Sequence, residues 1–160
     1  MKVVALITWI ITAGGGIVLL GTWLSRGGMR QQQTGQTRLP SPLVFGHFLL
    51  AAAGLVVWIV YLLGDIEVLT WVAFVLLVPV ALLGFTMFAR WLGVRGGRDA
   101  RATVAPKARG TASVAAAAGT GAGEVPAETH FPVTVVVAHG VLAAVTLVLV
   151  LLVALGVGGS

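Results

Sequence analysis

The chain has 160 residues, 58% of them hydrophobic and 9% charged, with a net charge of +5 and no cysteine. Ordinary soluble domains carry about 25% charged residues, so a chain this poor in charge cannot wet a globular surface, and its mean hydropathy of +1.04 agrees. The missing cysteines exclude a disulfide scaffold, an iron–sulfur protein and a thiolate zinc site. A pI near 11.2 suggests nucleic acid in a soluble chain, but here the basic residues are placed as in membrane orientation.

Four stretches reach the roughly 20 apolar residues that a helix needs to cross a hydrocarbon core about 30 Å thick. They are residues 3–24, 42–63, 68–92 and 132–157. The expected fold is therefore all-α, a polytopic bundle of four transmembrane helices, three within residues 1–95 and the fourth within 130–160. The first span is too long for the 7–15 apolar residues usual in a signal peptide, and its Gly14–Gly15–Gly16 run offers no small-residue cleavage site. It is expected to be retained. Ser41–Pro42 and Phe131–Pro132 are helix-start signals for the second and fourth spans. Gly64–Asp65–Ile66–Glu67 is a tight helical hairpin, and Pro79 is expected to kink the third span. Residues 96–129, rich in Ala, Gly, Thr and Pro and without apolar periodicity, are expected to form a disordered loop.

Orientation follows from charge. Arg26, Arg30, Arg38, Arg90, Arg95, Arg98, Arg101, Lys107 and Arg109 fall beside two loops on one side, and Lys2 falls on the other, with Asp65 and Glu67. The positive-inside rule puts loops 25–41 and 93–131 in the cytoplasm and both termini outside a plasma (cytoplasmic) membrane.

The chain also resembles itself. The ten residues from His47 to Val56 match those from His139 to Val148 at six positions, including the histidine. Thr8–Trp9 with Thr70–Trp71, and Leu19–Leu20–Gly21 with Leu82–Leu83–Gly84, give a looser pairing of the odd spans. This pattern predicts a duplicated two-helix unit, its copies related by an axis along the membrane normal.

His47 and His139, five and seven residues beyond Pro42 and Pro132, are then expected at depths of about 8 and 10 Å and across from one another. Two imidazoles at one level on opposed helices suit the axial ligation of one haem b. Ala51 and Gly54, Ala143 and Thr146, and Gly14 to Gly16 leave room for a macrocycle, and Arg38 and Arg90 are candidate propionate contacts. Small residues are also ordinary packing in lipid, and a histidine near the interface can be a hydrogen-bonding residue, so a structural pair is the competing expectation, and proton or metal chemistry a lesser one. His130 is expected to be solvated. Trp9, Trp23, Trp71 and Trp91 near span ends, and Trp58 with Tyr61, are assigned to the interfacial aromatic belt.

The phrases Leu-Leu-Gly-Phe-Thr-Met-Phe-Ala-Arg-Trp at 82–91 and His-Phe-Pro-Val-Thr-Val-Val-Val-Ala-His-Gly at 130–140 resemble small four-helix membrane proteins of high-GC actinobacteria, a resemblance that implies no activity. More distantly, helix number and the pair His47 and His139 resemble b-type membrane cytochromes of the cytochrome b561 sort. Those carry four histidines for two haems, so the resemblance implies at most one here. The function classes are then a haem-b electron carrier or anchor subunit, or a cofactor-free accessory or assembly subunit. A transporter lacks the intramembrane carboxylate it needs, and an enzyme acting alone lacks a nucleophile–base set, Asp65 and Glu67 being too solvated. The expected partners are the bilayer and a membrane protein or a second copy, with no nucleic acid.

Overall fold

The computed structural model describes residues 1–104 and 125–157, with side chains for all but 98–104. In chain order the elements are α1 (Lys2–Ser25), α2 (Gly28–Gln33), α3 (Ser41–Gly64), α4 (Val68–Val104), a 3-10 turn (Ala127–His130) and α5 (Val133–Ala154). No strand occurs among the described residues. Four of the helices, α1, α3, α4 as far as Gly97, and α5, are long and apolar enough to cross a membrane.

Their outer faces are dressed for lipid. Ile7, Ile11, Leu49, Leu82 and Val141 are more than half exposed, a pattern that water would not tolerate and a bilayer requires. Several threonine hydroxyls inside the spans donate to carbonyls one turn back, as Thr12 does to Thr8 at 2.7 Å and Thr146 to Leu142 at 2.8 Å, which satisfies them in an apolar medium. The α1 helix packs on α5, α5 on α4, α4 on α3 and, more loosely, α3 on α1. That cyclic order sets α3 diagonally across from α5.

Several boundaries differ from the sequence reading. The third helix does not stop at residue 92 but runs to Val104. The stretch expected to be structureless therefore begins helical, and it ends ordered, since Ala127 and Glu128 in the 3-10 turn are buried. Its middle, with Lys107 and Arg109, lies outside the described residues. Loop 25–41 contains the short α2, entered through Gly27 at φ +78°. A methyl group on Gly28 would overlap the Trp23 ring, so the chain can turn tightly against that indole only with glycine there. The helix starts also shift. Pro40 caps α3 and Pro132 caps α5, so Ser41 and Pro42 lie inside the first turn and both histidines stand seven residues beyond a capping proline. At the opposite end, Asp65 takes the left-handed conformation at φ +49° and closes the α3–α4 hairpin, held by Lys2 Nζ at 2.8 Å.

The interior has two aromatic layers. One gathers Ala5, Trp9, Trp58, Tyr61, Ala73, Leu77 and Val150 near the hairpin end, with Trp58 and Tyr61 ring centres 5.1 Å apart. The other gathers Trp23, Leu39, Val44, Trp91, Ala127 and Phe131 near the basic end. Four of the five tryptophans thus point inward, contrary to the aromatic-belt expectation; only Trp71, 44% exposed, faces out. Glycine makes the difference: a Cβ on Gly54 would stand 3.1 Å from the Trp9 ring, so the space beside Gly54 is taken by an indole and not kept for a macrocycle.

Candidate functional site

Between the two aromatic layers lie the histidines. His47 is six residues inside α3 and His139 six residues inside α5, so at 1.5 Å per residue both stand about 9 Å beyond their helix starts. The diagonal placement of α3 and α5 turns the two rings toward the bundle axis, their centres 6.2 Å apart and their planes at 61°. Both are partly buried.

Each ring is fixed in the same way. The Nδ1–H of His47 donates to the Val80 carbonyl on α4 at 3.0 Å, and that of His139 donates to the Thr12 carbonyl on α1 at 2.8 Å. A carbonyl can only accept, so Nδ1 carries the proton in both, and Nε2 keeps the free lone pair of the neutral imidazole. One turn beyond each carbonyl is a glycine against the ring: a Cβ on Gly84 would stand 3.1 Å from His47 Cε1, and a Cβ on Gly16 would stand 3.1 Å from His139 Cε1. Gly15 also touches His139, while Gly14 faces open space. Hence Val80 with Gly84 and Thr12 with Gly16 hold equivalent places, 68 residues apart. That register is not the one expected for the odd spans, which set Trp9 against Trp71, one buried and the other exposed.

Beside His139 a groove of about 320 Å³ opens between α1 and α5, walled by Ile11, Gly15, Val18, Ala138 and Leu142. At the basic end, Arg90 donates to the Arg38 carbonyl at 3.0 Å, and the Arg38 guanidinium passes within 3.9 Å of where a Gly93 Cβ would be. The two arginines proposed for propionates are therefore neighbours, about two helical turns below His47, and one of them is already engaged. His130 is exposed, its Nδ1 near the Ala127 carbonyl at 3.3 Å, as its sequence context suggested. Among the described residues no group of three His, Cys, Asp or Glu side chains could hold a metal ion.

Two polar residues escaped the sequence reading. Glu128 is fully buried; one carboxylate oxygen accepts from the Arg38 backbone N–H at 2.7 Å and the other from the Thr37 hydroxyl at 2.9 Å. Gln31 binds the same segment, accepting from Ala127 N–H at 2.8 Å and donating to the Val125 carbonyl at 3.0 Å. The available signal was position: Glu128 lies within the basic flank, immediately before a helix start. The chain matches no protein-family model, no curated protein and no solved structure, so the site stands on its own geometry.

Proposed function

We propose that this chain is a multi-pass protein of the cytoplasmic membrane that binds one haem b between His47 and His139 and serves as an electron-transfer or anchor subunit. The observation that carries this reading is the 6.2 Å between ring centres. A metal–imidazole bond is about 2 Å long and the bonding nitrogen lies roughly 1 Å from its ring centre, so His47 and His139 would hold one iron between their rings at about this separation. The donor set agrees, because a metal-bound imidazole characteristically gives its other N–H to a backbone carbonyl, as both rings do here. Gly16 and Gly84 let the two rings seat against the flanking helices, and the groove beside His139 supplies clearance at one edge of a flat group. When bound, such a group supplies one-electron chemistry. The protein's part is to orient the two imidazoles, keep water from them with the aromatic layers, and offer Arg38 and Arg90 to acidic substituents at the basic end.

Two related readings belong with it. The chain is a duplicated two-helix unit, α1 with α3 and α4 with α5; the recurrence of capping proline, histidine, accepting carbonyl and glycine supports this. The basic loops face the cytoplasm and the termini face out, supported by the segregation of Arg and Lys. A cofactor-free accessory subunit is the second reading, favoured by one observation: the Nδ1 hydrogen bonds already tie α3 to α4 and α5 to α1 without any ligand.

The test is a dithionite-reduced minus oxidised absorption spectrum of protein purified in mild detergent from haem-replete cells. A sharp α-band, lost in His47→Ala and in His139→Ala while both variants remain folded, is the expected result. A flat spectrum from intact protein with haem supplied overturns the haem reading and leaves the histidines as helix ties.

A further inference from the structure

We infer that Glu128 is a positioning residue for the histidine pair, acting as a clamp that sets the distance between α3 and α5 from the base of the bundle. It rests on the proposed role of the pair, but its geometry does not depend on a cofactor.

The two histidine helices are diagonal, so their separation is not fixed by ridge-and-groove packing of one on the other. What joins them directly is below their starts. The segment leading into α3 runs Thr37, Arg38, Leu39, Pro40, and the one leading into α5 runs Glu128 to Pro132. Glu128 grips the first from the second with both carboxylate oxygens. The hydroxyl of Thr37 is itself locked, because Leu39 N–H donates to it at 3.2 Å and Trp23 Nε1 lies 3.4 Å away. Leu39 and Phe131 are buried together directly beyond the clamp. From there each path to a histidine is stiff: one capping proline, with its φ held by the ring, and under two turns of α-helix.

A carboxylate with no exposed surface is costly unless it is well bonded, and in this chain acidic residues number only five. A role in fixing two segments 90 residues apart accounts for its presence. Releasing it frees the lead-in to α3 to move relative to that of α5, and the rings move with their helices.

The native chain has no cysteine, so the distance is measurable without background changes. Leu49→Cys and Val141→Cys, at exposed positions two residues beyond the histidines, take spin labels for pulsed dipolar distance measurement on the full chain in nanodiscs. Glu128→Ala is expected to shift the distribution to longer values and broaden it. Glu128→Gln keeps an acceptor for Arg38 N–H but sets an amide donor against the Thr37 hydroxyl, whose two lone pairs already serve Leu39 N–H and Trp23 Nε1–H, so its distribution is expected to fall between those of wild type and Glu128→Ala. If Glu128→Ala does not fold, Thr37→Val carries the test with the same direction of shift. An unchanged distribution in a folded Glu128→Ala or Thr37→Val protein overturns the clamp, as does a Glu128→Gln distribution as broad as that of Glu128→Ala. A wild-type protein without an α-band but with the shift in Glu128→Ala removes the haem and leaves the clamp standing.

Discussion

Replacing Gly84 with alanine separates the stability of the helices from the setting of the histidine. The new Cβ would stand 3.1 Å from His47 Cε1 and 3.6 Å from Nδ1. Carbon atoms pack comfortably at about 3.5–4.0 Å, so the ring must retreat by at least about 0.4 Å. A retreat of that size takes the 3.0 Å bond from Nδ1 to the Val80 carbonyl out of the range of about 2.7–3.2 Å in which N–H···O bonds are strong. Its loss costs about 1 kcal/mol. Alanine returns roughly 1 kcal/mol over glycine in a helix interior. The two changes nearly cancel, so Gly84→Ala is expected to melt in detergent close to wild type. The histidine, in contrast, is expected to lose its single tautomer, which ¹⁵N NMR of imidazole-labelled protein reads as collapse of the protonated-Nδ1 signal toward an average. Gly16→Ala should do the same to His139, for which the Cβ would stand 3.1 Å from Cε1. Gly14→Ala, with nothing near its Cβ, is the control. Unaltered imidazole signals in both Gly16→Ala and Gly84→Ala, or equal disturbance by Gly14→Ala, would refute the reasoning.

Other substitutions probe the layers on either side. Trp58 is fully buried and its Nε1 has no hydrogen-bond partner among the described residues, so Trp58→Phe should lower the melting midpoint far less than Trp58→Ala. Because lipid is as apolar as a leucine core, the Trp58→Ala cost is packing rather than transfer and should fall below the roughly 3–5 kcal/mol typical in water; a ranking reversed in a thermal assay contradicts this packing. Gly28→Ala forces a methyl into the Trp23 ring and should destabilise the basic end, exposing the α1–α2 turn to proteolysis while the hairpin end stays protected. Asp65→Gly removes the exposed ion pair with Lys2 but suits the left-handed backbone at that position. Its melting midpoint should stay near wild type, with Asp65→Val falling clearly below it.

Four helices were legible because a membrane span is the strongest one-dimensional signal a sequence carries: about 20 apolar residues in a row need no partner to be recognised. The histidine pair was legible for a similar reason, a rare polar residue recurring in an apolar repeat. What escaped was everything decided between helices. The tryptophans looked interfacial because depth was read along one helix, and the inward turn of Trp9 depends on Gly54 of another. The odd-span register was set on Thr–Trp pairs, whereas contact with the histidines selects Thr12 with Val80 and Gly16 with Gly84. Glu128 was passed over because its partners, Thr37 and Arg38, are 90 residues away and its burial is tertiary.

On the proposed duplication, each histidine bonds not to the first helix of its own unit but to that of the other, His47 to α4 and His139 to α1. Neither unit alone can set its imidazole, so the pair forms only when two units meet, and a symmetric dimer of single units would suffice for it. The hairpin-end layer tells a different story. In the register of the histidine contacts, Trp9 corresponds to Leu77 and Trp58 to Val150, and all four are buried in one cluster. A symmetric dimer would bring both tryptophans from each unit into that cluster. One unit holds two indoles and the other two aliphatic chains, a filling that a single chain with two different halves can reach and identical halves cannot. Trp58 is fully buried there, and beside this cluster, at the hairpin end, lies a cavity of about 420 Å³ walled by Lys2, Tyr61, Glu67, Trp71 and Val153.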